Sequence, residues 1–218
     1  MPKTRKTNGQ KKLAPVLRIY CEGEKTEPNY FNSYLEIACP GNRRLRVIKI
    51  EKTSKNTPVQ LVKEAVNAKN DKDCPEGDIF WVVFDREGEA KYPKILHQQA
   101  YDIAQSNGVE IALSNVCFEV WILLHFETST AAYSSYDDLK NNSNLCKSHI
   151  KNYDKSDKNI FKVLSSRIDD ARANAIAMNK STKDAADPSW TNPYQWNPFS
   201  DVYKLLDAID KFSGIKLA

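Results

Sequence analysis

The chain is short of what several protein classes require. No apolar run approaches the ~18 residues needed to cross a bilayer; the longest, Val116–Phe126, is interrupted by Glu119. The five cysteines, Cys21, Cys39, Cys74, Cys117 and Cys146, are odd in number, far apart and without a CxxC pair. That excludes a disulfide framework and a thiolate zinc site, and reduced thiols predict a cytoplasmic protein. The opening MPKTRKTNGQKK holds no apolar leader segment, so no export signal is expected. No GxSxG elbow and no HExxH pair occurs, and the histidines His97, His125 and His149 are scattered. Gly23-Glu24-Lys25-Thr26 resembles the end of a phosphate-binding loop, but an acid stands where its second glycine belongs. Nucleotide hydrolysis by that loop is excluded.

What is present suits a folded protein of 218 residues with 41% hydrophobic residues, enough for one large domain. Residues 1–12 carry Lys3, Arg5, Lys6, Lys11 and Lys12 and no acid, leaving 27 basic against 28 acidic residues in the rest. This tail either solubilises the chain or adds non-specific phosphate affinity. The body is close to neutral.

Periodicity and turn chemistry divide the remainder. Leu13–Cys21 and Arg44–Glu51 read as strands, and Ile79–Phe84 (IFWVVF) as a strand covered on both faces. Val109–Leu113 reads as a fourth. Between them lie a helix opened by Pro28 and stopped at Pro40-Gly41, one started by Thr57-Pro58, and one over 92–106 ended by Gly108. Ser114-Asn115 reads as the cap of an apolar helix over 116–126. This alternation predicts an α/β fold, a mostly parallel sheet flanked by helices. From 127 onward strand signals vanish. Helices at 160–180 and 200–212 and an ordered loop over 187–198 are expected there. The division is a basic tail 1–12, an α/β core 13–126 and a helical C-terminal extension 127–218 packed on the core.

Ligands of parallel sheets collect at the C-terminal ends of the strands. Glu22 follows the first strand, Asp85 with Glu87 and Glu89 the third, and Ser114-Asn115 with Glu119 the fourth. Oxygen ligands of this kind suit Mg²⁺ or Mn²⁺. Each also has a plainer reading. Glu22 and Glu24 favour a helix N-terminus, and Asp85 caps a turn. Glu119 differs, since a carboxylate inside VCFEVWILLHF must find a partner or a metal. Asn115 and Glu119, four residues apart, fall on one helix face. His125 on that helix reads as a satisfied core residue. Lys25 and Lys155 are candidate phosphate contacts. Trp190, Tyr194 and Trp196, clustered with prolines, pin a loop to the core, or alternatively stack on bases.

Taken together, IYCEGEKTEPNYF, VVFDREGE, LSNVCFEVWILLHF and NPFSDVYKLLDAI resemble the RloB-like family over about residues 15–212. This is a bacterial group related to Toprim domains and often encoded beside an AAA or ABC-type ATPase. Where the family usually has proline, this chain has Val116, a change expected to alter a turn and delete no ligand. The resemblance implies a Toprim-like sheet with metal ligands at Glu22, Asp85 and Glu87, although D-R-E replaces the usual D-x-D; Glu119, singled out by its place in an apolar helix, is expected to join them as a metal ligand. It also implies a Mg²⁺-dependent nuclease acting on RNA, tRNA or DNA in anti-phage abortive defence under a partner ATPase. The alternative is a non-catalytic regulatory or sensor subunit of such a complex. A receiver-like phosphoacceptor at Asp85 is a third reading, for which no suitably placed lysine is evident. A homodimer is one expected assembly.

Overall fold

A computed structural model describes residues 14–42, 46–89 and 91–214. The basic tail and part of the expected strand over 44–51 lie outside the described residues. Five strands, β1 (Leu17–Cys21), β2 (Ile48–Glu51), β3 (Ile79–Asp85), β4 (Glu110–Asn115) and β5 (Phe199–Ser200), form one sheet in the order β2-β1-β3-β4-β5. The first four are parallel and β5 is antiparallel to β4. Around them pack α1 (Thr26–Ala38), α2 (Pro58–Lys69), α3 (Lys94–Asn107), α4 (Glu119–Leu124), α5 (Tyr136–Asn142), α6 (Ile160–Leu164), α7 (Ile168–Ala185) and α8 (Val202–Ser213). The expected α/β architecture with C-terminal helices is therefore present.

The two-residue period of β3 builds two cores at once. Trp81 and Val83 face a layer with Tyr30, Phe31, Trp121 and the C-terminal Leu205, Leu206 and Ile209. Phe80, Val82 and Phe84 face the opposite layer with Leu61, Val62, Ala100 and Ala104. A strand buried on both faces must be apolar at every position, and IFWVVF is.

Five expectations are corrected. β1 starts at Leu17, since Pro15 has no N–H to place in a ladder. β2 starts at Ile48, where Asn42 closes the strand end: its side chain accepts from the Ile48 N–H and donates to the Ile48 carbonyl, each at 2.9 Å. Strand structure does return after 127, as β5, too short to show a period. The apolar helix covers only Glu119–Leu124, with Ser114 and Asn115 ending β4 and not capping it. The Asn115–Val116 peptide is cis. The expected helix over 160–180 is two helices joined by a 3₁₀ turn at Ser165–Arg167. No helix among the described residues is long and apolar enough to cross a membrane.

Candidate functional site

Parallel pairing sets Cys21 beside Val83 and Asp85 beside Ser114, so β1, β3 and β4 end level with one another. At this edge a cavity of about 420 Å³ opens, lined by Glu22, Glu24, Glu27, Asp85, Glu87 and Glu119 and by Lys25, Lys91 and Lys155. Six carboxyl groups thus face three ammonium groups. The expected acids Glu22, Asp85, Glu87 and Glu119 share this cavity, and both expected lysines reach it.

Each acid is held differently. Glu22 Oε2 accepts the Asp85 backbone N–H at 3.1 Å, which ties the end of β1 to the end of β3. Burial pushes the Glu22 carboxyl up to about 7, the Asp85 N–H pulls it back, and Glu87 and Glu27 raise it further. Asp85 is pushed well above the usual carboxylate range by burial, and then by the charges of Glu27, Glu119 and Glu22. Its Oδ1 is buried without a hydrogen-bond partner. Glu87 sits in the left-handed region (φ 48°), and its carboxylate pairs with Lys91 at 2.6 Å.

The residue between these two acids is not a spacer. Arg86 is buried and donates to the carbonyls of Tyr194 at 3.1 Å and Tyr92 at 2.9 Å, while pairing with Glu89. It staples the acidic turn to the C-terminal segment. His97 lies beneath, its Nε2 3.3 Å from the Asp85 carbonyl. Burial lowers this imidazole to about 4, so it is neutral and donates.

Glu119 is fully buried. Its Oε1 accepts from the Tyr153 hydroxyl at 2.8 Å and pairs with Lys155 Nζ at 3.2 Å, while Oε2 has no partner. The loop carrying Tyr153 and Lys155 is strapped to α1. Thr26 donates to the Lys155 carbonyl at 3.1 Å, Asn29 to that of Ser156 at 3.4 Å, and Ser33 to that of Lys158 at 3.1 Å. Spacings of three and four put these side chains on one helix face.

Glu27 is a site residue that sequence reasoning passed over, because an acid in a first helical turn already has a reason to be there. Burial raises its carboxyl, backbone N–H groups of Glu27 and Gly23 pull it down, and the charge of Glu119 pushes it up. Gly23 has a specific task here: a Cβ on it would lie 2.1 Å from Glu27 Oε2. The glycine next to Glu22 in the CEG stretch was the available signal.

Other expected residues fall elsewhere. Asn115 donates to the Trp196 carbonyl at 2.6 Å, and Ser114 Oγ lies 3.2 Å from Ser200 Oγ. Both join β4 to the C-terminal segment and do not line the cavity, because β4 runs on through them and no helix follows directly. His125 is the core residue expected, its ring nitrogens against Tyr30 and the Trp121 carbonyl. Tyr194 and Trp196 are buried, in keeping with the loop-pinning reading, whereas Trp190 is exposed and does not share that role.

No three His, Cys, Asp or Glu side chains among the described residues stand together as a ready metal shell. The donor set nevertheless fits a hard cation. All its donors are oxygens, Asp85 Oδ1 and Glu119 Oε2 are buried and unpartnered, and burial with like charges opposes ionisation of Asp85 and Glu27. Mg²⁺ in particular is usually held by one or two carboxylates with waters and substrate phosphates.

The fold and site define an α/β protein with an acidic centre at the carboxyl edge of a mostly parallel sheet. A family model described as RloB-like protein matches residues 17–209, and the chain belongs to the RloB-like family. Among curated proteins and among solved structures, nothing matches.

Proposed function

We propose that this protein is a divalent-metal-dependent phosphodiesterase that hydrolyses nucleic acid. The supporting observation is electrostatic: six carboxyl groups, two with buried unpartnered oxygens, line a cavity that also holds three lysines. A site of that balance repels a phosphodiester unless a cation accompanies it, yet its lysines suit phosphate.

Asp85 and Glu119 would hold Mg²⁺ or Mn²⁺, with Glu27 behind them. When bound, the cation supplies charge neutralisation at the phosphoryl oxygens and at the leaving oxygen. The chain supplies the rest. Lys155, paired with Glu119, and Lys25 at the rim orient a phosphate by charge. Glu22, with a carboxyl near 7, takes a proton from the attacking water or returns one to the leaving oxygen at neutral pH. Tyr153 locks Glu119 in place. A role in anti-phage defence under a partner ATPase, implied by the family resemblance, belongs to the same proposal.

The test incubates purified protein, with and without its neighbouring ATPase, with RNA and DNA pools in Mg²⁺. Cleavage is expected, is lost in EDTA, and is abolished by Asp85→Asn without loss of Tm. Equal cleavage by wild type and Asp85→Asn would overturn the assignment. One observation favours the regulatory reading instead: no ready three-ligand metal group stands among the described residues. That reading predicts no change in Tm on titration with millimolar Mg²⁺ or Mn²⁺.

A further inference from the structure

The acidic centre opens into a second chamber of about 370 Å³ that shares Asp85, Glu87, Lys91 and Lys155 with the first. Both volumes fall in the range of small-molecule sites. The walls differ. The first chamber is lined mainly by charged and polar residues, with Phe118 and Tyr92 among them. The second adds Val116, Cys117 and Tyr136 to the shared charges, with Gly88 and Ser134 on one side and Ser135 and Asp137 at its rim. Val116 and Cys117 are buried, and burial pushes the Cys117 thiol well above its usual range, so its sulfur acts as apolar surface. A Cβ on Gly88 would lie 3.3 Å from the Ser134 carbonyl oxygen, so the two loops close on each other there. Tyr136 opens α5, where Ser135 accepts the Asp138 N–H and fixes the helix start. Lys155 stands on the border. Its Nζ pairs with Glu119 on one side and sits 3.7 Å from the centroid of the Tyr136 ring on the other.

A cation for phosphate and an aromatic ring in contact with it are the two parts needed to hold one nucleotide. We infer that the second chamber takes a single unpaired nucleobase of the strand whose phosphate lies at the acidic centre. The inference rests on the phosphodiesterase reading for the placement of that phosphate. It selects single strands, loops and frayed ends over duplex, because a base stacked and paired in a helix is not free to leave the stack and enter a side chamber. Tyr136 is then a specificity-determining residue outside the acidic centre.

The test needs no cleavage. Binding of a 5′-fluorescein-labelled single-stranded oligonucleotide pool is followed by anisotropy in millimolar Ca²⁺, which supplies the divalent charge the acidic centre needs to admit a phosphate, against strands of equal length made only of abasic sites and against the same pool as blunt duplex. The wild-type chain is expected to bind the base-bearing strand about tenfold more tightly than the abasic strand or the duplex. Tyr136→Leu, shown by its melt to be folded, is expected to lose that preference while keeping its affinity for the abasic strand. Equal affinity for base-bearing and abasic strands, or no binding at all, would overturn the inference, and the ligand-side comparison stands even if the variant does not fold. Cleavage in Mg²⁺ is scored separately. Base-dependent binding without cleavage leaves the chamber and removes the nuclease, whereas cleavage indifferent to the base does the reverse.

Discussion

Glu119 is the residue at which a structural and a ligand role make opposite predictions. Glu119→Gln removes one negative charge and keeps the shape. The Tyr153 hydroxyl can still donate to the amide oxygen, so the 2.8 Å hydrogen bond survives. The Lys155 ion pair at 3.2 Å weakens, but the lysine side chain is 42% exposed, which discounts that pair to about 1 kcal/mol. Against this loss, the charge of Glu119 acts unfavourably on both Asp85 and Glu27, and the amide relieves it. The two effects oppose, so metal-free stability should fall by no more than about 1 kcal/mol, or ~2–4 °C in Tm for a chain of this size. The metal response should change far more, because a buried unpartnered oxygen that suits a cation becomes an amide. The assay is a thermal melt of wild type and Glu119→Gln in EDTA and in millimolar Mg²⁺. The expected outcome is nearly matched melts in EDTA and a Mg²⁺-induced rise only in wild type. A drop of about 10 °C in EDTA with the Mg²⁺ rise intact would refute the reasoning. It would show that the Lys155 pair is a buried structural bridge, whose breakage costs ~3–5 kcal/mol.

Glu22 predicts a pH dependence. Its carboxyl lies near 7 in the fold against an ordinary 4.5, so its contribution is full below about 4.5 and is lost as pH rises through 7. Glu22→Gln should therefore be more stable than wild type at pH 8 in EDTA by up to about 3 kcal/mol, and equal to it near pH 4. His97 and His125, both lowered by burial to about 4, act oppositely over a similar range, but they cancel in this difference. A stability difference independent of pH would contradict the assignment. Far from the cavity, Asp210 is buried and accepts from both Arg172 and Tyr34. Asp210→Ala leaves a mostly buried guanidinium with the longer Asp207 pair at 3.4 Å as its remaining charge partner and should lower Tm by about 5 °C, with the Mg²⁺-induced shift in Tm unchanged; a loss under 2 °C would refute a structural role for this pair.

Much of the architecture is legible in the sequence because it is local. The apolar run of IFWVVF declares a strand covered on both faces, and Pro58 and Gly108 bound their helices through fixed backbone preferences, Gly108 at φ 60°. Parallel topology then carries Glu22 and Asp85 to one edge without further information, since every strand of a parallel set ends on the same side. The rest depends on contacts between residues far apart in the chain. β5 has two residues and is a strand only because Ser114 and Asn115 lie beside it. Nothing local to Arg86 shows that Tyr194 packs against it, and nothing local to Glu27 shows that burial and Glu119 surround it. Lys155 reaches the acidic centre because Thr26, 129 residues earlier, binds its carbonyl. Local backbone preference sets where an element starts and stops. Which charges share one low-dielectric cavity is decided only by how the finished elements pack, and so only the tertiary structure shows Lys155 between Glu119 and a second, less polar chamber.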